Sequence, residues 1–170
     1  MTRPGSHVLL GCVAATVVLA ADQGSKWWIL NGLKLQDLGT VAILPVLNFT
    51  MVWNHVVTFG LLGGLGAASA LILAAVALAV VAALFVWLRK AESRLVAVAL
   101  GAIAGGAVGN VVDRLRFGAV VDFLHAHAFG YSWYVFNVAD AAIVCGVAAL
   151  VLDSVRAKPA AALADRPEQS

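Results

Sequence analysis

The chain has 170 residues, of which 62% are hydrophobic and only 12% charged, with a formal net charge of +2. Soluble domains are nearer half apolar and a quarter charged, so this composition belongs to an integral membrane protein and excludes a water-soluble globular domain. The length allows one compact domain of a few spans, and without a basic block the small net charge excludes a nucleic-acid binder.

A membrane-spanning helix needs roughly 20 residues to cross the hydrocarbon layer. The first segment of that length is Val8–Leu30, with Asp22 and Lys26 near its far end. Arg3, a short apolar core and Val18–Ala21 also resemble a signal peptide, whose removal would leave three spans. The segment is read as retained. Leu9–Cys12 resembles a lipidation box, but too short an apolar core precedes it. The segment 31–65 is too long for a turn and too mixed for a span. Thr40–Asn54 is rich in β-branched and aromatic residues around Pro45, which predicts one or two short strands at the membrane surface. Gly60–Gly66 reads as a loop into the second span, Ser69–Leu88, which has no charge. The short linker Arg89–Arg94 makes this span and the third, Leu95–Val112, an antiparallel hairpin. A second long outer segment follows, Asp113–Trp133, and then a fourth span, Tyr134–Leu152. Residues 1–157 form one membrane domain in this reading, and 158–170 a disordered tail.

The expected fold is therefore an all-α, four-helix membrane bundle with a small β-rich cradle at one face. Seven basic residues (Arg3, Arg89, Lys90, Arg94, Arg156, Lys158, Arg166) fall on one side against four on the other (Lys26, Lys34, Arg114, Arg116). Basic residues favour the cytoplasmic side, which places both termini there and the two long segments outside. Cys12 and Cys145 both lie in apolar runs and read as small buried hydrophobes.

Ionisable residues within or beside spans are costly, which makes them candidates for function. Asp22, Asp113, Asp122 and Asp140 all fall near the same, outer level. Asp113 stands beside Arg114 and near Arg116, which suggests a structural ion pair at a helix end. Asp122, in Gly118–Leu124, and Asp140, in Phe136–Val144, have apolar neighbours and no adjacent cation. Two such carboxylates brought together share a proton, one acting as base and the other as acid. That pair can activate water and protonate a carbonyl or leaving amine. Asn137 and Asp140 also fit the cap and third position of a helix start.

Other polar groups have plainer readings. Gly101, Gly105 and Gly109 form a helix-packing stripe. His125 and His127 could form a metal pair, but no further ligands are evident. Ser25 and Lys26 are neighbours on a helix and point about 100° apart, which is poor geometry for a dyad. Trp27, Trp28, Trp53 and Trp133 suit an interfacial belt. A small transporter or proton relay would also use intramembrane carboxylates, and a structural subunit would use the glycine stripe.

Four blocks in order, Asp22–Trp28, Trp53–Leu62, Gly105–Leu124 and Phe136–Ile143, resemble the signature blocks of bacterial lipoprotein signal peptidase (signal peptidase II). The resemblance covers about Val8 to Val155. It implies an intramembrane aspartyl endopeptidase of the bacterial inner membrane, with no metal or other cofactor. It also implies cleavage of diacylglyceryl-modified prolipoproteins just before the lipidated cysteine, in contact with membrane lipid, and inhibition by globomycin-type compounds. Carried onto matching positions, Asp122 and Asp140 are the catalytic dyad. Asp22, Lys26, Asn54, Asn110, Arg114 and Asn137 match supporting or substrate-binding positions, and Asp113 a structural one. One departure is Val56, where the family usually has glycine; valine lacks glycine's backbone freedom, so loop geometry there is expected to differ.

Overall fold

The computed structural model describes residues 5–55 and 67–164. Val56 and the 60–66 loop lie outside the described residues. Four helices are long and apolar enough to cross a membrane: His7–Gly32, Ala68–Leu88, Arg94–Phe117 and Val138–Val155. In chain order, α1 (Gly5–Trp27) continues through a π-helical turn, Trp28–Gly32, to the short α2 (Leu35–Leu38). Strands β1 (Thr40–Leu44) and β2 (Leu47–Asn54) follow, then α3 (Ala67–Leu88) and α4 (Arg94–Phe117). The chain ends with β3 (Val120–Ala128), β4 (Tyr131–Ser132) and α5 (Val138–Ala164).

The spans occur where hydropathy places them, but their ends differ for local reasons. The third was expected to stop at Val112. Nothing there breaks a helix, and α4 runs on until Gly118, whose φ of 71° lets its N–H close on the Arg114 carbonyl. Asp113, Arg114 and Arg116 are therefore helical residues rather than loop residues. The fourth was expected from Tyr134. Phe136 instead pairs with Leu124 as an isolated antiparallel bridge, and the helix begins after Asn137. α5 continues past Leu152 to Ala164, through the first part of the segment expected to be disordered; that stretch is rich in alanine, the best helix former. Residues 165–170 lie outside the described residues.

α4 is the hub, packing on α1, α3 and α5. Lipid tails are as apolar as leucine, so helices in a bilayer associate through close packing rather than through the hydrophobic effect. The glycine stripe provides that closeness. A Cβ at Gly101 would collide with the Gly11 carbonyl, and one at Gly105 with the Ala15 carbonyl, both on α1. One at Gly106 would meet the Ala139 carbonyl of α5. The bundle's outer face is apolar, with Leu71, Val76, Val80 and Val86 of α3 exposed as hydrocarbon would require. Cys12 and Cys145, expected to be buried, are on this outer face. A thiol is apolar enough to face lipid, so an apolar run alone does not tell inside from outside.

The four strands form one antiparallel sheet in the order β1-β2-β3-β4. β1 and β2 are the strands expected around Pro45, and β3 pairs with β2 from Leu47↔Ala126 to Asn54↔Val120. One face of the sheet closes on a cluster of Ile29, Leu35, Val121 and Phe123. Phe49 packs edge-on against Phe123 and Trp28, with ring centroids 5.9 and 6.1 Å apart. This cluster fixes β3 over the ends of α1 and α4 and so places Asp122.

Candidate active site

Side chains three and four apart on a helix share a face. α4 thereby presents Asn110, Asp113 and Arg114 together, and α1 presents Asp22 and Lys26. β3 contributes Asp122, β2 Asn54, and the start of α5 Asn137 and Asp140. All nine side chains meet at the end of the bundle that carries the sheet.

The base of the site is a buried ion cluster. Lys26 Nζ lies 2.8 Å from Asp22 and 2.7 Å from Asp113, and it also donates to Asn110 Oδ1 at 3.1 Å. All three charged groups are at most 3% exposed. Two carboxylates against one ammonium leave a net negative charge, and backbone donors offset it. The Ala139 N–H, in the first turn of α5, donates to Asp22 Oδ1 at 3.0 Å, and the Val121 N–H donates to Asp113 Oδ2 at 3.0 Å. Buried charge is tolerable only when paired and hydrogen-bonded in this way. Gly109 completes the fit, since a Cβ there would strike the Asp22 carboxylate.

Above this base sit Asp122 and Asp140. The Asn137 amide donates to Asp122 Oδ1 at 2.6 Å, and the Asn54 amide donates to Asp122 Oδ2 at 3.0 Å. The Asn110 amide donates to Asp140 Oδ1 at 2.8 Å. Asn137 and Asp140 cap each other at the start of α5, as their spacing predicts. The Asn137 amide also reaches Asn110 Oδ1 at 3.2 Å, so one asparagine joins both carboxylates to the lysine below. Burial pushes the Asp122 carboxyl from 3.8 up to about 6; hydrogen bonds from Asn54 and Asn137 oppose the rise, and the charge of Asp140 adds to it. Arg114 donates to the Asn110 carbonyl at 3.2 Å, and its charge acts on Asp140 first, then on Asp122 and Asp113.

Two expectations are corrected. The cation held by Asp113 is Lys26 of α1, not the adjacent arginines, because neighbours on a helix point about 100° apart. Arg114 instead donates to the Asn110 carbonyl, and its charge and that of Lys26 both reach Asp122, which is therefore not remote from a cation. Gln23 was missed: its amide donates to Asp22, Asp113 and the Gly109 carbonyl. Its only sequence signal was an uncharged polar residue beside Asp22 inside an apolar helix. Ser25 donates to the Asp22 carbonyl while Lys26 is held in ion pairs, so the two form no dyad. His125 bonds to Thr50 and Ser132 across the sheet. Among the described residues, no group of three or more His, Cys, Asp or Glu side chains is placed to hold a metal ion.

A family model described as Signal peptidase (SPase) II matches residues 14–156. The chain belongs to the signal peptidase II family. Among its relatives is the lipoprotein signal peptidase of Methylorubrum extorquens, 50% identical over 155 residues, 91% of each chain. That of Rhodopseudomonas palustris is 44% identical over 158 residues, covering 91% of this chain and 96% of the relative. A solved structure described as a bacterial membrane enzyme superposes with a TM-score of 0.74 at 26% identity, covering 94% of this chain and 93% of the other. Family membership and fold agree: the matched region contains every residue of the polar cluster, the last three spans and the first span from residue 14 onward.

Proposed function

We propose that this protein removes signal peptides from prolipoproteins whose cysteine carries a diacylglyceryl group, cutting just before that cysteine. In this reading Asp122 and Asp140 are the catalytic aspartates. The observation that carries it is the arrangement of these two carboxylates at the sheet end of the bundle, bridged by Asn137, whose side-chain amide donates to Asp122 and whose backbone N–H donates to Asp140.

One carboxylate takes a proton from water as the oxygen attacks the scissile carbonyl, and the other protonates the carbonyl oxygen. The tetrahedral intermediate then collapses, with the C–N bond breaking and a proton passing to the departing amine. Asn54, Asn110 and Asn137 orient the carboxylates, the charge of Arg114 reaches them, and Asp22, Lys26 and Asp113 support them from below. A proton relay would need ionisable groups across the membrane, whereas α3 has none.

The basic residues, seven against four, favour the inner membrane with both termini cytoplasmic and the dyad near the outer face. The signal helix of the substrate then lies beside the bundle with its acyl chains in lipid. The test is incubation of the purified protein with a diacylglyceryl-modified prolipoprotein, with and without globomycin. A mobility shift of the substrate only in the uninhibited reaction is expected; an unshifted substrate would overturn the proposal.

A further inference from the structure

We infer that the protein has a second binding site, for the headgroup of an anionic phospholipid, on the face of the sheet turned away from the two upper aspartates. Side chains alternate along a strand. Asn54 turns toward Asp122, so its neighbour Trp53 turns the other way, to the side where Val121 is buried. There a cavity of about 390 Å³ opens where the ends of α1 and α4 meet β2, lined in part by Lys26, Trp27, Gln36, Trp53, Asp113 and Arg116.

The charges and donors around this cavity favour an anion. Lys26 and Asp113 form an ion pair at its floor, and Asp22, the third charge of that cluster, is not among the residues that line it. Arg116 has no carboxylate partner among the described residues; its guanidinium lies 5.0 Å from the centre of the Phe117 ring, which itself packs edge-on against Trp53. Neither indole N–H, of Trp27 or of Trp53, nor the Gln36 amide has a hydrogen-bond partner among the described residues. The cavity thus gathers unused donors and an arginine outside any ion pair, and a phosphate diester offers acceptors and a negative charge. Arginine and tryptophan are the side chains that meet headgroups at a membrane interface. The cavity lies at the ends of two membrane-spanning helices, and at that depth the available phosphate is that of a lipid.

The experiment is native mass spectrometry of the purified full chain titrated with phosphatidylglycerol or phosphatidylcholine. Wild type is expected to retain phosphatidylglycerol preferentially. Arg116→Gln should weaken that retention about fivefold, the worth of one basic residue near a charged lipid surface. Trp53→Phe keeps the ring contact with Phe117, removes the N–H, and should weaken it less. Lys90→Gln, between α3 and α4 at the opposite end, should leave it unchanged. Arg116 is exposed, and unchanged thermal unfolding of its variant would show that the fold is intact. Equal retention by wild type and Arg116→Gln, or an equal loss in Lys90→Gln, would overturn the site.

Discussion

Asn137 and Asp140 are bound to each other twice: the Asp140 N–H donates to Asn137 Oδ1 at 2.9 Å, and the Asn137 N–H donates to Asp140 Oδ2 at 3.3 Å. This reciprocal cap starts α5 and fixes the direction of one carboxylate, while the Asn137 amide holds the other. Asn137→Ala should cost about 1 kcal/mol through the lost cap. Its larger effect should be on turnover, because both carboxylates lose their common tether. Thermal unfolding and a prolipoprotein cleavage assay on the same preparation separate the two; a turnover loss no larger than the stability loss would reduce Asn137 to a cap.

On the proposed mechanism, replacing either Asp122 or Asp140 by asparagine removes a group needed to move protons. Each variant should insert and fold, yet lose about 10²–10⁴-fold or more in cleavage rate. Single-turnover cleavage in detergent or nanodiscs measures this. Near-normal turnover by either purified variant would show that the dyad is misassigned.

The buried cluster predicts an asymmetry. Lys26→Met leaves Asp22 and Asp113 without their cation and should cost about 3–5 kcal/mol. Asp113→Asn leaves a balanced Lys26–Asp22 pair and should cost less, about 1–3 kcal/mol. Unfolding midpoints of the two variants, compared in one detergent, give the order; the reverse order would contradict the pairing.

Two glycines on different faces should respond in opposite directions. At Gly105 even alanine collides with the backbone of α1, so Gly105→Ala should force the helices apart and destabilise by about 1–3 kcal/mol. Gly24 has nothing within 4 Å of a built Cβ, and Gly24→Ala should be neutral or stabilise by up to about 1 kcal/mol. Thermal unfolding of both variants is sufficient.

Asp122 makes stability depend on pH with a definite sign. Its carboxyl rises from 3.8 to about 6 in the folded protein, because burial disfavours the charged form. The folded state therefore holds the proton more tightly than the unfolded chain does. The resulting stabilisation is complete below the unfolded value and is lost as pH rises through about 6. Relative to wild type, Asp122→Asn should show a flatter unfolding midpoint between about pH 4 and pH 6. Identical slopes would mean that Asp122 ionises as it does in water.

The spans were legible because a bilayer demands long apolar helices, and one or two short strands because β-branched and aromatic residues flank Pro45; their pairing as a hairpin was not. Helix ends were less legible. They depend on Gly118 adopting a left-handed conformation and on Phe136 finding Leu124 across space. The gathering of polar residues could be read from their shared level and from the four blocks. Which residue pairs with which could not. Asp113 stands beside Arg114 in sequence but meets Lys26, which lies on another helix. Gln23 carries no charge and so escaped a search for costly ionised groups.

The hydrogen bond from Ala139 to Asp22 joins residues 117 positions apart, one on the first span and one on the last. During synthesis Asp22 and Lys26 are made early, but the donor that offsets the charge of Asp22 arrives only with α5. Asp140 arrives in the same stretch. A chain stalled before its final helix therefore has neither a complete pair of carboxylates nor a settled foundation for one. On the proposed dyad, the hydrolytic centre comes into being only when the last helix docks, and an unfinished chain in the membrane would be inert.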